Sequence, residues 1–330
     1  MLVFIEVLRA IATLLIFNSH LKGVYPVDIL SFGGGLGLAL FYMLSGYLLS
    51  NINENTKFHK WYFKKITRIY VPLILFRIIL VVIGNIQINS FIGFIKIFVF
   101  PTYWFVASMV IFYVVYFVFV KYIYGKFGKK SIIGAWIVCG ISFTVLYATK
   151  IPIALFSLEK LQICDQFSIE TPYLITQFVW FSTMLLGLYL KEFPINQTKM
   201  NNKKYLFLAS SVVCVLCFLG IRVFEKFGLN FEFLLPVSYI GFAYFIFEFF
   251  ELIENELKKL HQKIIFKPVR IISMCSLEIY FVQFVWINLF KEIMFPVNLV
   301  LIIGVTIIVG LLLHIVSNKL LNINIKKKCY

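Results

Sequence analysis

Ten apolar stretches of bilayer length run through the chain, separated by short connections. They cover residues 2–21, 33–50, 69–84, 103–120, 131–148, 173–190, 205–222, 233–251, 269–290 and 298–318. A helix needs about 20 mostly apolar residues to cross the roughly 30 Å hydrocarbon core of a membrane. The pattern predicts an all-α fold, a polytopic membrane bundle of about ten transmembrane helices. Composition agrees: 61% of the residues are hydrophobic and only 14% are charged, where soluble domains carry about 25% charged residues. Pro72 and Arg77 interrupt the third stretch, and the apolar connection 85–102 suits a re-entrant or interfacial segment.

The charges orient the bundle. Connections on the side of the C-terminus (51–68, 121–130, 191–204, 252–268 and 319–330) hold 21 of the 31 lysines and arginines, and the opposite connections hold six. Cytoplasmic loops carry the excess of Lys and Arg, so both termini are expected in the cytoplasm. The net charge of +16 therefore reflects topology rather than a basic face for nucleic acid. No cleavable leader is expected, because the first apolar stretch starts at the second residue and contains Arg9. The chain reads as one membrane domain, 1–330, with no room for a soluble one. The longest connection, 149–172, has the acids Glu159, Asp165 and Glu170 and suits a short outer cap. Cys214 and Cys217 have metal-like spacing but no second pair and no nearby histidine, so neither a metal site nor a disulfide framework is expected.

The first stretch contains Glu6, Arg9 and His20. Eleven residues separate Arg9 from His20, which puts them within about 20° on one helix face and about 16 Å apart along the axis. Glu6 sits one turn before Arg9, in reach of it. Two readings fit: a span whose Arg9 snorkels and whose His20 meets the headgroups, or a functional face. The second stretch has a smooth side made of Gly33, Gly34, Gly35, Gly37, Gly46 and Ser45, and such residues let helices approach closely. Ser45 is a candidate polar lining residue. His59 and His261 fall in basic connections and are expected to be solvated, whereas His314 suits packing or a headgroup contact.

An acidic residue, then Arg9, ten intervening residues and His20, resembles the opening of the acyltransferase 3 family, integral-membrane enzymes that modify sugars. Further phrases follow in order: Gly37-Leu-Ala-Leu-Phe41-Tyr-Met-Leu-Ser45-Gly46-Tyr47, Lys65-Ile-Thr-Arg68 before Pro72, Tyr103-Trp104-Phe105, and Ser276-Leu-Glu-Ile279-Tyr280-Phe-Val-Gln283. Lys65 stands where the family has an arginine, and Gln283 where many members have a histidine. Lys65 keeps the charge and loses the bidentate fork.

The resemblance implies transfer of an acyl group, in the first instance acetyl, from acyl-CoA to a hydroxyl of a cell-surface or lipid-linked glycan. The implied location is the cytoplasmic membrane of a bacterium, among its lipids. His20 would be the general base, since a pKa near 6.5 suits neutral pH. Glu6 would orient or neutralise Arg9, and Arg9, Lys65 and Arg68 would hold the phosphates of the donor. Ser45, Tyr103, Trp104, Glu278 and Gln283 are candidates for the substrate path. Glu278 has a structural reading too, pairing with Arg77 or Arg270. No metal is called for. An exporter or flippase of a polysaccharide or lipid-linked sugar is the alternative, because a ten-span bundle with few charges suits that as well.

Overall fold

The computed structural model describes residues 2–88, 90–98, 103–151, 153, 173–195 and 200–327, without the side chains of 92, 96, 201 and 323–327. The expected outer cap in 149–172 lies almost entirely outside the described residues. Helices account for the fold, and there is no strand among the described residues. They are α1 (Val3–Ser19), α2 (Gly34–Leu49), α3 (Phe58–Val82), α4 (Phe91–Phe98), α5 (Trp104–Val118), α6 (Lys129–Thr149), α7 (Leu174–Glu192), α8 (Lys204–Lys226), α9 (Leu235–Leu252), α10 (Glu254–His261), α11 (Lys267–Met274), α12 (Ser276–Phe290) and α13 (Val297–Lys327).

Each predicted stretch coincides with helix. Among the described residues, seven helices are long and apolar enough to cross a membrane, and a bent pair, Ile264–Met274 with Ser276–Phe290, makes eight if it is one span. The expected ten is not reached on these criteria for two reasons. Helix α1 has only 17 residues. Helix α3 begins at Phe58, well before the predicted span, and so takes in Lys60, Lys64, Lys65 and Arg68. Residues 58–68, expected as connection, are thus helical. The ninth stretch is broken at Cys275 rather than continuous. Within 85–102 the described residues include the short helix α4.

The helices form two compact units. The first comprises Met1–Asn51, Lys126–Ile151 and Phe178–Ser276, and the second Ile52–Gly125, Pro152–Gln177 and Leu277–Tyr330. In the first, α1 packs on α2 and α11, α2 on α9, and α8 on α9; in the second, α3 packs on α5 and α13. The smooth side of α2 is used for close approach. A Cβ on Gly46 would collide with the Met184 carbonyl of α7, and a Cβ on Gly187 with the Met43 carbonyl of α2. The two helices therefore cross backbone against backbone, as small residues allow in lipid. Helix α1 has no side-chain cap of its own. Instead Glu254 accepts the Val3 and Phe4 amides at 3.1 and 2.8 Å, satisfying donors that a helix start leaves open. Ile137, Val138, Ile141 and Val145 on α6 and Val212, Val213 and Leu216 on α8 are exposed. Apolar exposure on this scale suits a lipid environment.

Candidate active site

His20 follows the last residue of α1. Its backbone is still helical, its amide bonds the Phe17 carbonyl at 3.1 Å, and its side chain is half-buried. Asn18 holds the chain beyond it. The Asn18 amide donates to the carbonyls of Leu30 (2.7 Å) and Phe32 (3.0 Å), and its oxygen accepts the Tyr25 hydroxyl at 2.7 Å. This side chain ties the connection from α1 to α2 back onto the end of α1. Ser19 and Lys22, on either side of His20 in the chain, line a cavity of about 540 Å³. Gly33, Gly34 and Gly35 at the start of α2, Arg222 of α8 and Tyr239 of α9 complete much of its wall.

At the other end of α1, Glu6 meets His261 of α10, with 3.3 Å between carboxylate and ring nitrogen. Arg270 of α11 braces that imidazole and donates to the His261 carbonyl at 3.1 Å. Glu6 was expected beside Arg9; the side chain that faces it in space comes from 255 residues further along the chain. His261 is likewise not a solvated loop histidine but a half-buried one fixed between an acid and a cation. Ser45 donates its hydroxyl to the Phe41 carbonyl of its own helix at 2.9 Å. That bond takes up its proton and leaves the residue a lining role at most.

Arg9 lies on α1 in the first unit; the remaining predicted residues belong to the second. Lys65 and Arg68 lie on the first turns of α3, with Lys64. Burial, then the Arg68 and Lys64 charges, hold the Lys65 ammonium below its usual range, so an anion placed there would be welcome. Tyr103 precedes α5, donates its hydroxyl to the Phe281 carbonyl at 3.1 Å and packs with Tyr280, Phe281 and Phe284. Trp104 packs edge-on to Phe105. Gln283 is buried, and both its amide atoms lack a hydrogen-bond partner among the described residues. Such an orphan is costly, and it occupies the position where the family's late histidine is expected.

Glu278 pairs with neither Arg77 nor Arg270 but with His314 of α13, at 2.9 Å. Arg77 instead donates to the Ile97 carbonyl. Asn318 contacts the other ring nitrogen of His314 at 2.8 Å. The imidazole, expected in a packing or headgroup role, is held on both sides and ties α12 to α13. His314→Ala would strand a carboxyl that is only 7% exposed. We expect a loss of about 1–3 kcal/mol in stability, read from unfolding in detergent, and little further loss when Glu278→Gln is added. Full stability in His314→Ala would show that the pair contributes nothing.

Residues 2–317 match the model of an acyltransferase domain, that of the acyltransferase 3 family. The chain belongs to this family. No curated protein and no solved structure matches it. The match extends from the start of α1 into α13, so the helices of both units belong to the acyltransferase domain. Membrane acyltransferase is thus the class of the protein. Among the described residues of this acyltransferase, no group of three or more His, Cys, Asp or Glu could hold a metal ion.

Several of the acyltransferase's polar residues escape a reading by spacing. Asn18 carries a signal in retrospect, as an amide inside an apolar stretch two residues before the histidine. Glu254, Arg270, Arg222 and Tyr239 carry none, because their partners are distant in sequence.

Proposed function

We propose that the protein moves an acetyl group from cytoplasmic acetyl-CoA to a hydroxyl of a cell-surface or lipid-linked glycan. The observation that carries this reading is membership of an acyltransferase family over nearly the whole chain, with the Arg9–His20 pattern on α1. His20 is the general base. Its imidazole takes the acceptor's hydroxyl proton as that oxygen attacks the thioester carbonyl. The tetrahedral intermediate collapses, the carbon–sulfur bond breaks, and the CoA thiolate recovers the proton from the imidazolium.

Arg9 on α1 and, separately, Lys65 with Arg68 on α3 are the cations suited to the donor's phosphates, each by charge-assisted hydrogen bonds. Glu6, braced by His261, sets the charge beside the first turns of α1. With both termini in the cytoplasm, Arg9 lies towards the inner face and His20 towards the outer one. The roughly 16 Å between them is then bridged by the donor's pantetheine arm. The test uses purified protein in detergent with acetyl-CoA. Release of free CoA that depends on added glycan is the expected result. No release with any glycan, together with donor-independent movement of glycan into liposomes, would overturn this reading in favour of an exporter.

A further inference from the structure

From Leu277 onwards, α12 and α13 belong to the second unit. They meet where Glu278 pairs with His314. They meet again at Gly310, where a Cβ would sit 3.0 Å from the Ile279 side chain and 3.3 Å from its backbone nitrogen. Residues 291–296 alone connect Phe290 to Val297, a reach of about 25 Å at full extension. Parallel helices crossing at Ile279 and Gly310 would hold those ends roughly 36 Å apart. The two therefore form an antiparallel hairpin. One turn from the crossing, Gln283 of α12 and Thr306 of α13 come to the same level on adjoining turns.

Both side chains are buried, Gln283 at 1% exposure and Thr306 at 0%. Neither amide atom of Gln283 has a hydrogen-bond partner among the described residues, and nor has the Thr306 hydroxyl. The Trp286 indole N–H, one turn beyond Gln283, is shielded and unpartnered in the same way. A helical Ser or Thr can return its hydroxyl to the carbonyl four residues back. Thr13, Ser45, Thr67, Thr144 and Ser182 all do so in this protein; Thr306 does not. Lipid has no water to offer such groups, so their match comes from something bound between the turns.

The unmatched groups define what that is. A carboxamide donates and accepts at once, and so pairs with a secondary amide through two bonds. A hydroxyl beside it adds a third. Trp286 places a further donor about 4.5 Å along the helix axis from Gln283. Two secondary amides joined through two methylenes repeat at about 5 Å when extended, and the pantetheine arm of acyl-CoA is built in that way. An N-acetylated sugar offers a single amide.

We propose that Gln283, Trp286 and Thr306 bind the amide-bearing arm of the acyl donor. Gln283 and Thr306 take one amide, and the Trp286 N–H donates to the carbonyl of the next. Lys65 and Arg68 belong to the same unit, on the helix that packs against α13, so cations suited to the phosphates of the same molecule are present in it. The proposal rests on the acyltransferase reading for the identity of the ligand, while binding is measured without any transfer.

The full chain is reconstituted in phosphatidylcholine nanodiscs and titrated calorimetrically with CoA, pantetheine, the adenosine bisphosphate half of CoA and N-acetylglucosamine. Gln283→Leu, Trp286→Phe and Thr306→Val should each weaken CoA and pantetheine by about tenfold and leave the bisphosphate unchanged. Thr306→Ser keeps the hydroxyl and should bind like the parent. Thermal unfolding of Gln283→Leu and Thr306→Val should hold or rise, because an unmatched buried polar group is removed. Unchanged CoA affinity in all three variants would overturn the site, as would a parent chain that binds no CoA. A lower unfolding temperature with unchanged binding would assign the groups to trapped water. Weakening of N-acetylglucosamine alone would assign them to an acceptor. In turnover, Gln283→Leu should raise KM for acetyl-CoA and leave kcat nearly level. CoA binding that needs Gln283 without glycan-dependent CoA release would count against the transfer reading alone. Release with a KM that Gln283→Leu does not move would count against the site alone.

Discussion

Replacing His20 by alanine should abolish acyl transfer while leaving a folded protein in the membrane. A positioned general base typically contributes about 10²–10⁴-fold to a rate, and here no second imidazole sits on α1 to substitute for it. Residue 20 lies beyond Ser19, and the backbone bond to Phe17 and the Asn18 clamp involve other atoms. The loss should therefore appear in turnover and not in yield or elution from a sizing column. Complete acylation of the proposed glycan acceptor in cells with His20→Ala as the sole source of the enzyme would remove this histidine from the chemistry.

The largest effect on stability is expected at the crossing of α2 and α7. Gly46→Ala would put a methyl group onto the Met184 carbonyl, and Gly187→Ala would put one onto the Met43 carbonyl. Neither obstacle is a side chain that can swing away, so the helices must separate. Overpacking of a well-packed core costs about 1–3 kcal/mol and sometimes more, and a backbone obstacle belongs at the upper end. Gly134 supplies the control, since a Cβ there meets nothing within 4 Å. Gly134→Ala should be neutral or slightly stabilising, because alanine is favoured over glycine in a helix by about 1 kcal/mol. Thermal unfolding in detergent compares the three variants. If Gly46→Ala and Gly134→Ala unfold at the same temperature, the tight crossing is not a source of stability.

The spans were legible because a bilayer imposes a length and a polarity on each helix separately. The smooth side of α2 was legible for a related reason, since the absence of side chains is visible in one dimension. The start of α3 was misread because lysines mark loops by charge, yet nothing between Phe58 and Ile69 breaks a helix. The break at Cys275 comes without glycine or proline, so no local signal announces it. Partners were the least legible part. Glu6 and His261, or Glu278 and His314, lie far apart in sequence, and spacing along one helix offers only near neighbours such as Arg9 as partners for Glu6. The cavity required four helix ends to meet, of which only the glycine run of α2 stood out in the sequence.

The support of α1 by Glu254 and His261 has a consequence for how the enzyme is made. The helix that leads into His20 leaves the ribosome before α10 does. The residues that fix its opening turn follow some 250 positions later. During synthesis, α1 must wait in the membrane with its first amides and the Glu6 carboxylate unmatched until α10 arrives. A chain stalled before residue 254 would hold the proposed base and lack its anchor, so competence for catalysis waits on α10 even though the proposed base is translated before it.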